Sequence, residues 1–476
     1  MESNGEDQGG TRDSNKKPSG TVENDTGEIS DPWKCLMIIC NFVVLSFCLG
    51  LNYGLWPLVE GLESYYEEYN YNRDQIDIKW IVYINISMVG ITAPVASALV
   101  HRVKFHGTRI AAFYGAFLST IGLFLSGFVR STGALCATYG VITGIGYGLL
   151  LTPCIGLLPM YFRTRYILAN AISFTGTSLC IFYVPSLFDY VAQTYGKHST
   201  FIILACLNAQ LLVMAALFRP IEQFSSESSP KFLDRCKRLK EKLFSDYEKA
   251  LFRTIITSMF FIGVGYNILL LHLRQFAMYN GTSDTDSRIV LNVCGVFMIV
   301  GQVVHGVLTL SEKVRKDEKT YKRVFYSLSL FGVALVSLLS SVADSFAGHA
   351  ALAAIIGLGS GMYFPLAFVL LRYSLTVNGD SRLTGALAFG LPIFGIGALI
   401  GLPIGDLLNE VTENYDCSFF LAGAALMVVS FTFLLVDYKL RRRESHSRKS
   451  TESDGKTAQD DNDGLNANNT TEVTEF

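Results

Sequence analysis

Charged residues are scarce in this chain, and their positions are more informative than their number. Asp, Glu, Lys and Arg make up 17% of the 476 residues, against roughly 25% in soluble proteins. Twelve stretches of 20 residues or more contain none of the four, the first at 35–59 and the last at 417–436. A soluble globule carries charge on the helices that face water, so this pattern excludes one. The net charge of −2 argues against a nucleic-acid-binding protein.

Features of disulfide scaffolds and of enzymes are also missing. The ten cysteines are scattered along the chain, and they indicate no disulfide framework. The charge-free stretches contain no group of His, Asp, Glu and Cys with catalytic or metal-ligand spacing. The sequence therefore predicts neither an enzyme nor a bound metal or cofactor.

The charge-free stretches predict helices that cross a membrane. About 20 apolar residues span the hydrocarbon layer as a helix, and a helix satisfies its own backbone polar groups there. Barrel strands would instead alternate over roughly 10 residues. The sequence predicts an all-α membrane protein with twelve transmembrane helices.

The positive residues predict the orientation in the membrane. With twelve spans both termini lie on one side, and the segments on that side hold 33 of the 39 Lys and Arg. Positive residues accumulate on the cytoplasmic side of short loops, so we expect both termini in the cytoplasm and place the protein in the plasma membrane. Asn280, Gly281 and Thr282 form a glycosylation sequon in an outer loop.

The spans form two sets of six. They lie in 34–218 and 251–437, between an N-terminal segment (1–33) and a C-terminal tail (438–476) that are both expected to be cytoplasmic and disordered. This arrangement is typical of a secondary transporter built from two six-helix bundles. In the cytoplasmic connector 219–250, the spacing of Phe232, Cys236, Leu239, Leu243 and Tyr247 predicts one amphipathic helix, either at the lipid surface or at a partner site. The last residues, Thr474–Phe476, fit the ending that PDZ domains bind.

A loop motif resembles a known superfamily of carriers. Leu99, Arg102, Gly107 and Arg109 have the spacing of the short cytoplasmic loop motif of the major facilitator superfamily. In that superfamily the arginines of the loop bind acidic groups and helix carboxyl ends and hold the inner gate closed. The resemblance therefore implies a gating role for Arg102, Gly107 and Arg109. His101 stands where the motif usually has an aspartate.

A second motif is similar to one branch of that superfamily. Residues 161–169 read Tyr-Phe-Arg-Thr-Arg-Tyr-Ile-Leu-Ala and resemble the signature of the monocarboxylate transporter family (solute carrier family 16), with Arg165 as its arginine and a further gating residue. Segments 383–387, 401–405 and 418–423 are similar to the same family. The resemblance covers about residues 33–437. It implies alternating-access transport of a small organic solute and, as a partner, a single-span immunoglobulin-like glycoprotein.

Three positions depart from the family's pattern. Its lactate carriers have an acidic residue and an arginine four apart in span 8 and a lysine late in span 1, whereas this chain has Met298, Gln302 and Trp56–Pro57 there. An arginine grips a carboxylate through two charged hydrogen bonds, which glutamine cannot replace. The resemblance therefore implies a carrier, but proton-coupled lactate transport of the usual design is not expected.

Uncharged polar and aromatic residues remain as candidates for binding the solute. On the helices expected to line the path they are Asn52, Tyr53, Tyr147, Asn267, Gln302, Tyr363 and Phe364. Amides and phenols can bind hydroxyls, amides or zwitterions, but they can equally make hydrogen bonds between helices. His305 is either a proton site or a packing histidine. A transport-inactive sensor or assembly partner with the same fold is the alternative function.

Overall fold

The computed structural model describes residues 32–55, 77–102, 106–162, 165–218, 247–312, 318–374 and 383–439, with a few single positions between them. Most of the connector 219–250, the N-terminal segment, the C-terminal tail and the Trp56–Pro57 position fall outside the described residues. The predicted amphipathic helix and the predicted PDZ-binding ending therefore stay predictions.

Twelve helices make up the described part of the chain, which confirms the predicted number. They are α1 (Pro32–Gly54), α2 (Trp80–Arg102), α3 (Gly107–Ser126), α4 (Thr132–Tyr161), α5 (Tyr166–Tyr195), α6 (Lys197–Leu217), α7 (Tyr247–Tyr279), α8 (Asp284–Leu308), α9 (Glu318–Leu338), α10 (Phe346–Ser374), α11 (Leu383–Thr412) and α12 (Asp416–Lys439). Eleven are long and apolar enough to cross a membrane by composition. The other, α9, begins with charged residues.

The two halves repeat the same helix packing. In the first bundle, α1–α6, helix α1 packs on α5, α2 on α4 and α3 on α6; in the second, α7–α12, helix α7 packs on α11 and α8 on α10. The hydroxyl of Ser430 on α12 donates to the carbonyl of Ser327 on α9, 2.9 Å away, which completes the correspondence. The fold is therefore a pair of similar six-helix bundles, as the sequence predicts.

Two seams join the bundles. In the first seam helix α2 packs along α11, and in the second seam α5 packs along α8. A Cβ atom on Gly90 of α2 would lie 2.4 Å from the carbonyl oxygen of Leu391 and 3.0 Å from the Cα of Gly395, both on α11. Only glycine allows so close an approach of the two backbones, so the first seam depends on Gly90.

The odd-numbered helices all end on one side of the molecule, which we call the distal end. The opposite side is the proximal end. Gly54, Tyr279 and Thr412 lie at the distal end. The count of positive residues predicts that this end is extracellular.

Candidate functional site

A narrow cavity lies between the bundles. It is lined by Leu49, Asn52, Tyr53, Ile86, Val89, Gly90, Leu151, Phe364, Phe368, Leu391 and Phe394. None of these residues is charged, and only Asn52 and Tyr53 carry polar side chains. The lining therefore presents mainly apolar and aromatic surface, with the polar groups of Asn52 and Tyr53 at one wall.

Irregular helical turns position Asn52. A π-helical stretch at Ser46–Gly50 precedes it in α1, and another at Cys136–Thr143 lies in α4. Such bulges rotate the side chains that follow and occur often at functional sites. The hydroxyl of Tyr139, within the second stretch, donates to Oδ1 of Asn52 at 2.8 Å. This bond holds the amide of Asn52 at the wall of the cavity.

Tyr53 and Asn267 connect the bundles beside the cavity. The Tyr53 hydroxyl on α1 donates to Oδ1 of Asn267 on α7 at 2.8 Å. The amide nitrogen of Asn267 donates to the carbonyl of Gly263 at 2.5 Å, within its own helix. Both side chains are buried. The structure thus brings together two residues that the sequence predicts as solute-binding.

An aromatic wall faces these polar groups. The ring of Phe364 stacks on Tyr266 with centroids 4.4 Å apart and planes 5° apart. Phe368 and Phe394 pack around Phe364 at 5.5 and 5.8 Å. Offset rings of this kind are held by packing and by their quadrupoles. Phe364 was predicted from the sequence, whereas Tyr266, Phe368 and Phe394 were not.

Three other predicted residues lie outside this lining. Tyr147 donates to Asn208 at 3.0 Å, which joins α4 to α6 inside the first bundle. Gln302 on α8 accepts a hydrogen bond from Ser178 on α5 at 3.0 Å, so it lies in the second seam. Tyr363 is fully buried, with its ring 6.3 Å from that of Tyr266. The structure thus separates Tyr147 and Gln302 from the cavity and places Tyr363 behind its aromatic wall.

His305 is also away from the cavity. It is fully buried, and its ring stacks on Phe325 of α9 with centroids 5.7 Å apart. Neither ring nitrogen has a hydrogen-bond partner among the described residues. These contacts resemble those of a packing histidine, and a role as a proton site stays a prediction.

The structure shows a polar cluster at the distal end that the sequence did not predict. Asp406 on α11 accepts a hydrogen bond from the hydroxyl of Tyr83 on α2, and its other oxygen lies 3.2 Å from Nε2 of His272 on α7. Helix α11 continues to Thr412, beyond the charge-free stretch that ends at 405, so it includes this carboxylate near its distal end.

A second charged contact crosses the bundles at the same end. Arg288 on α8 forms an ion pair with Asp189 on α5. Arg288 also lies 2.9 Å from Asp284, four residues earlier in its own helix, and Asp284 is 2.5 Å from Arg274 on α7. The second seam therefore closes through a network of four charges at its distal end.

In the proximal loop motif, Arg109 lies against the carboxyl end of α6, and the gating role of Arg109 and Gly107 stays a prediction. Arg109 donates from Nε to the carbonyl of Phe218 at 2.5 Å and from Nη2 to the carbonyl of Ala216 at 2.9 Å. These carbonyls lie at the carboxyl end of α6, where the helix leaves acceptors unsatisfied. A Cβ on Gly107 would lie 2.4 Å from the carbonyl oxygen of Val100, so this position requires glycine.

The remaining gating candidates lie at helix ends. Arg102 is exposed in the last turn of α2, and Arg165 is half-buried just before α5. His101, at the position of the motif's aspartate, contacts the carbonyl of Ser97 in its own helix at 2.6 Å. None of these contacts crosses between the bundles, and the gating role of Arg102 and Arg165 stays a prediction.

The sequon lies in the turn between α7 and α8. Asn280 is half-buried, and Gly281 has a φ of 86°, in the left-handed region that suits glycine. The hydroxyl of Thr282 is 2.8 Å from Nδ1 of His349. The turn is short and lies at the distal end, where the prediction of glycosylation requires it.

The family follows from comparison with other proteins. Residues 42–376 match the Major Facilitator Superfamily. The chain is 30% identical to monocarboxylate transporter 13 of Bos taurus over 357 residues, which cover 74% of this chain and 78% of that protein. This chain belongs to the monocarboxylate transporter family. The resemblance seen in the motifs is thereby confirmed.

Other members of the family agree, and solved structures share the fold. The chain is 27% identical to monocarboxylate transporter 4 of Mus musculus over 366 residues, 76% of this chain and 75% of that one. A human organic anion transporter superposes with a TM-score of 0.63 at 12% identity, covering 85% of this chain and all of its own. The Escherichia coli fucose:proton symporter gives 0.61 at 14%, covering 85% and 98%.

The family and the site together define the class of activity. The chain is a multi-pass membrane carrier of small solutes, and the superfamily consists of transporters rather than enzymes. No group of residues suited to holding a metal ion occurs among the described positions. Met298 and Gln302 on α8 are both uncharged.

Proposed function

We propose that this protein carries a small organic solute with an apolar or aromatic body by alternating access, without the proton coupling that the charged residues of span 8 provide in lactate carriers. The solute is a monocarboxylate or a related metabolite, and it binds in the cavity between Asn52 and Tyr53 on one side and Phe364 on the other. The observation that carries the proposal is that the described residues of this lining include aromatic rings and two polar groups but no charged side chain.

The described residues of the lining include no cation, which limits what a carboxylate group can contribute to binding. A carboxylate placed in an apolar site without a charged partner costs several kcal/mol in lost hydration. Apolar and aromatic groups gain free energy on leaving water, about 25 cal/mol for each Å² that they bury. The apolar part of the solute therefore supplies the affinity, and the amide of Asn52 and the phenol of Tyr53 select its hydrogen-bonding group.

Uptake into proteoliposomes tests this proposal. Purified full-length protein would be assayed with lactate, aromatic amino acids, neutral aromatic metabolites and zwitterions, with and without a pH gradient. We expect saturable uptake of an aromatic or apolar solute in preference to lactate. Phe364→Leu should raise the KM for that solute, because leucine cannot provide the flat surface of the ring.

A matched variant separates binding from general damage. Phe113 on α3 is 49% exposed on the outer surface of the bundle, so Phe113→Leu should leave the KM unchanged. Lactate uptake that depends on the pH gradient would contradict the proposal. Well-folded protein that takes up nothing from the panel would instead favour a transport-inactive sensor or assembly partner.

Location and partners are part of the proposal. We place the protein in the plasma membrane with both termini in the cytoplasm, on the count of 33 positive residues against 6. A single-span immunoglobulin-like glycoprotein is the partner that the family resemblance suggests, and a PDZ domain is the one that Thr474–Phe476 suggests. Surface labelling after co-expression with such a glycoprotein tests the first partner. Binding of PDZ domains to the intact tail, compared with a tail that lacks Phe476, tests the second.

A further inference from the structure

Asp406, His272 and Tyr83 meet where the first seam reaches the distal end. Asp406 lies on α11 and His272 on α7, both in the second bundle, while Tyr83 lies on α2 in the first. His272 is fully buried and the side chain of Asp406 is 15% exposed. The contact between Tyr83 and Asp406 can form only while the distal ends of α2 and α11 are together.

The hydrogen bonds indicate how a proton would be held. The amide nitrogen of Asn409, one turn beyond Asp406, is 3.5 Å from Nδ1 of His272. The amide nitrogen donates, so this long contact favours a neutral ring whose Nδ1 accepts and whose proton lies on Nε2, 3.2 Å from Asp406. The Asp406 carboxylate accepts the hydrogen bond from Tyr83, and its other oxygen lies 3.2 Å from Nε2 of His272. In this state the cluster has one negative charge.

Other charged and titratable groups surround the cluster. Lys79 and Asp77 precede α2 and are 3.9 Å from each other, and the positive charge of Lys79 also acts on Asp406. Arg274 on α7 pairs with Asp284 on α8. The ring of Tyr415, before α12, is 6.2 Å from that of His272, and Glu410 on α11 is exposed. Among the described residues, Asp406 and His272 are thus the acid–base pair enclosed by the seam.

We propose that His272 and Asp406 form a proton-binding site whose loading favours closure of the distal end. A closed seam removes the cluster from water, and a single buried negative charge is costly. One bound proton makes the cluster neutral, as an ion pair between His272 and Asp406 that still accepts the hydrogen bond from Tyr83. Proton binding and closure are linked, so each favours the other.

The site lies outside the solute cavity and does not depend on which solute is carried. Asp406 and His272 are absent from the cavity lining, and they are not the residues of span 8 that the lactate carriers use. The inference therefore concerns the gate rather than the solute. A failed test of the gate would leave the proposed transport function intact, and the reverse also holds.

Distance measurements on the full chain in nanodiscs test the proposal without any solute. Spin labels carried by non-natural amino acids at Phe128 and Val411, which are 63% and 75% exposed, would report the distal gap between the bundles. We expect the distance distribution to shift to shorter values as the pH is lowered from about 8 to about 5.

Two substitutions should have opposite effects. Asp406→Asn makes the cluster neutral without a proton, so the gap should already be closed at the high pH where the wild type is open. His272→Gln removes the proton acceptor and leaves the charge of Asp406, so the gap should be open at the pH where the wild type has closed. Glu410→Gln, one turn further along the exposed side of α11, should titrate like the wild type. Since the two variants shift the gap in opposite directions, general misfolding cannot reproduce both results.

Infrared titration of the same samples checks proton binding separately. The wild type and Glu410→Gln should show the same imidazole band that responds to pH, and His272→Gln should lack it; Asp406→Asn should lack the change in carboxylate stretching that accompanies it. If the gap of the Asp406→Asn variant had the same pH-dependence as that of the wild type, the proposal would be overturned. So would a wild-type gap that does not change with pH.

Discussion

The hydroxyl of Tyr53 donates a hydrogen bond to Oδ1 of Asn267 at 2.8 Å, across 214 positions of the chain. It joins α1, the first helix of one bundle, to α7, the first helix of the other. The same two residues border the cavity region in which we place the solute. A contact of this kind must change when the bundles move, because its partners belong to different bodies.

Breaking this bond should affect both stability and transport. Tyr53→Phe leaves Oδ1 of Asn267 buried without its donor, which costs about 1–3 kcal/mol. We expect a lower midpoint of thermal unfolding and altered uptake. A double-mutant cycle with Asn267→Leu should show a coupling energy of about 1 kcal/mol. Additive effects of the two substitutions would show that the bond contributes nothing of its own.

A methyl group in the first seam should force the bundles apart. Gly90→Ala would place a Cβ 2.4 Å from the carbonyl oxygen of Leu391, and overpacking of this kind costs about 1–3 kcal/mol. We expect reduced uptake and a larger distal gap by spin labelling. Gly332→Ala on α9 is the matched control, because a Cβ there meets nothing within 4 Å. It should leave transport unchanged and raise helix stability by up to about 1 kcal/mol.

Arg109 should stabilise the proximal end of the first bundle more than Arg102 does. Arg109 donates to the carbonyls of Phe218 and Ala216, and charged donors to such groups contribute about 1.5–3 kcal/mol each before solvent exposure is considered. Arg109→Ala should therefore lower the unfolding midpoint, and lysine should restore little because it lacks the planar fork of donors. The exposed Arg102, changed to Ala, should alter the midpoint less. Equal effects of the two substitutions would contradict this interpretation.

The ion pair in the second seam should hold the distal end closed. Arg288→Gln removes the partner of Asp189 across the bundles. Both side chains keep some contact with solvent, so the expected loss is modest, about 1 kcal/mol. The labels at Phe128 and Val411 should report a more open gap, and high salt should diminish the difference between the wild type and the variant. An unchanged gap would show that this seam closes through its apolar contacts alone.

Glycosylation would establish the orientation. Full-length protein from animal cells should migrate faster after enzymatic removal of N-linked sugar, and Asn280→Gln should abolish that shift. The Thr282 hydroxyl lies beside His349 at the distal end. The count of positive residues places this end outside the cell. A sugar on Asn280 would confirm that the distal end is extracellular. Glycosylation of a position in the proximal segments would show the opposite orientation.

The sequence determined the helices, the two bundles and the family, because charge-free stretches and loop motifs are local patterns. It also indicated Asn52, Tyr53, Asn267 and Phe364 near one another, through the helices that line the path in this fold. It did not separate them from Tyr147 and Gln302, because the rotation of each helix determines which polar side chain faces the cavity and which faces a neighbouring helix. That rotation depends on close contacts and on irregular turns that no single stretch of sequence reveals.

Only the tertiary structure decided what lies between the bundles. Tyr83 and Asp406 are 323 positions apart, and each has an ordinary local sequence. Asp406 could not be recognised as a residue of a span, because the charge-free stretch ends just before it while the helix continues. Close packing of α2 on α11 at Gly90 aligns these two helices up to their distal ends. That alignment brings a carboxylate, an imidazole and a phenol together at a boundary that water must leave when the seam closes.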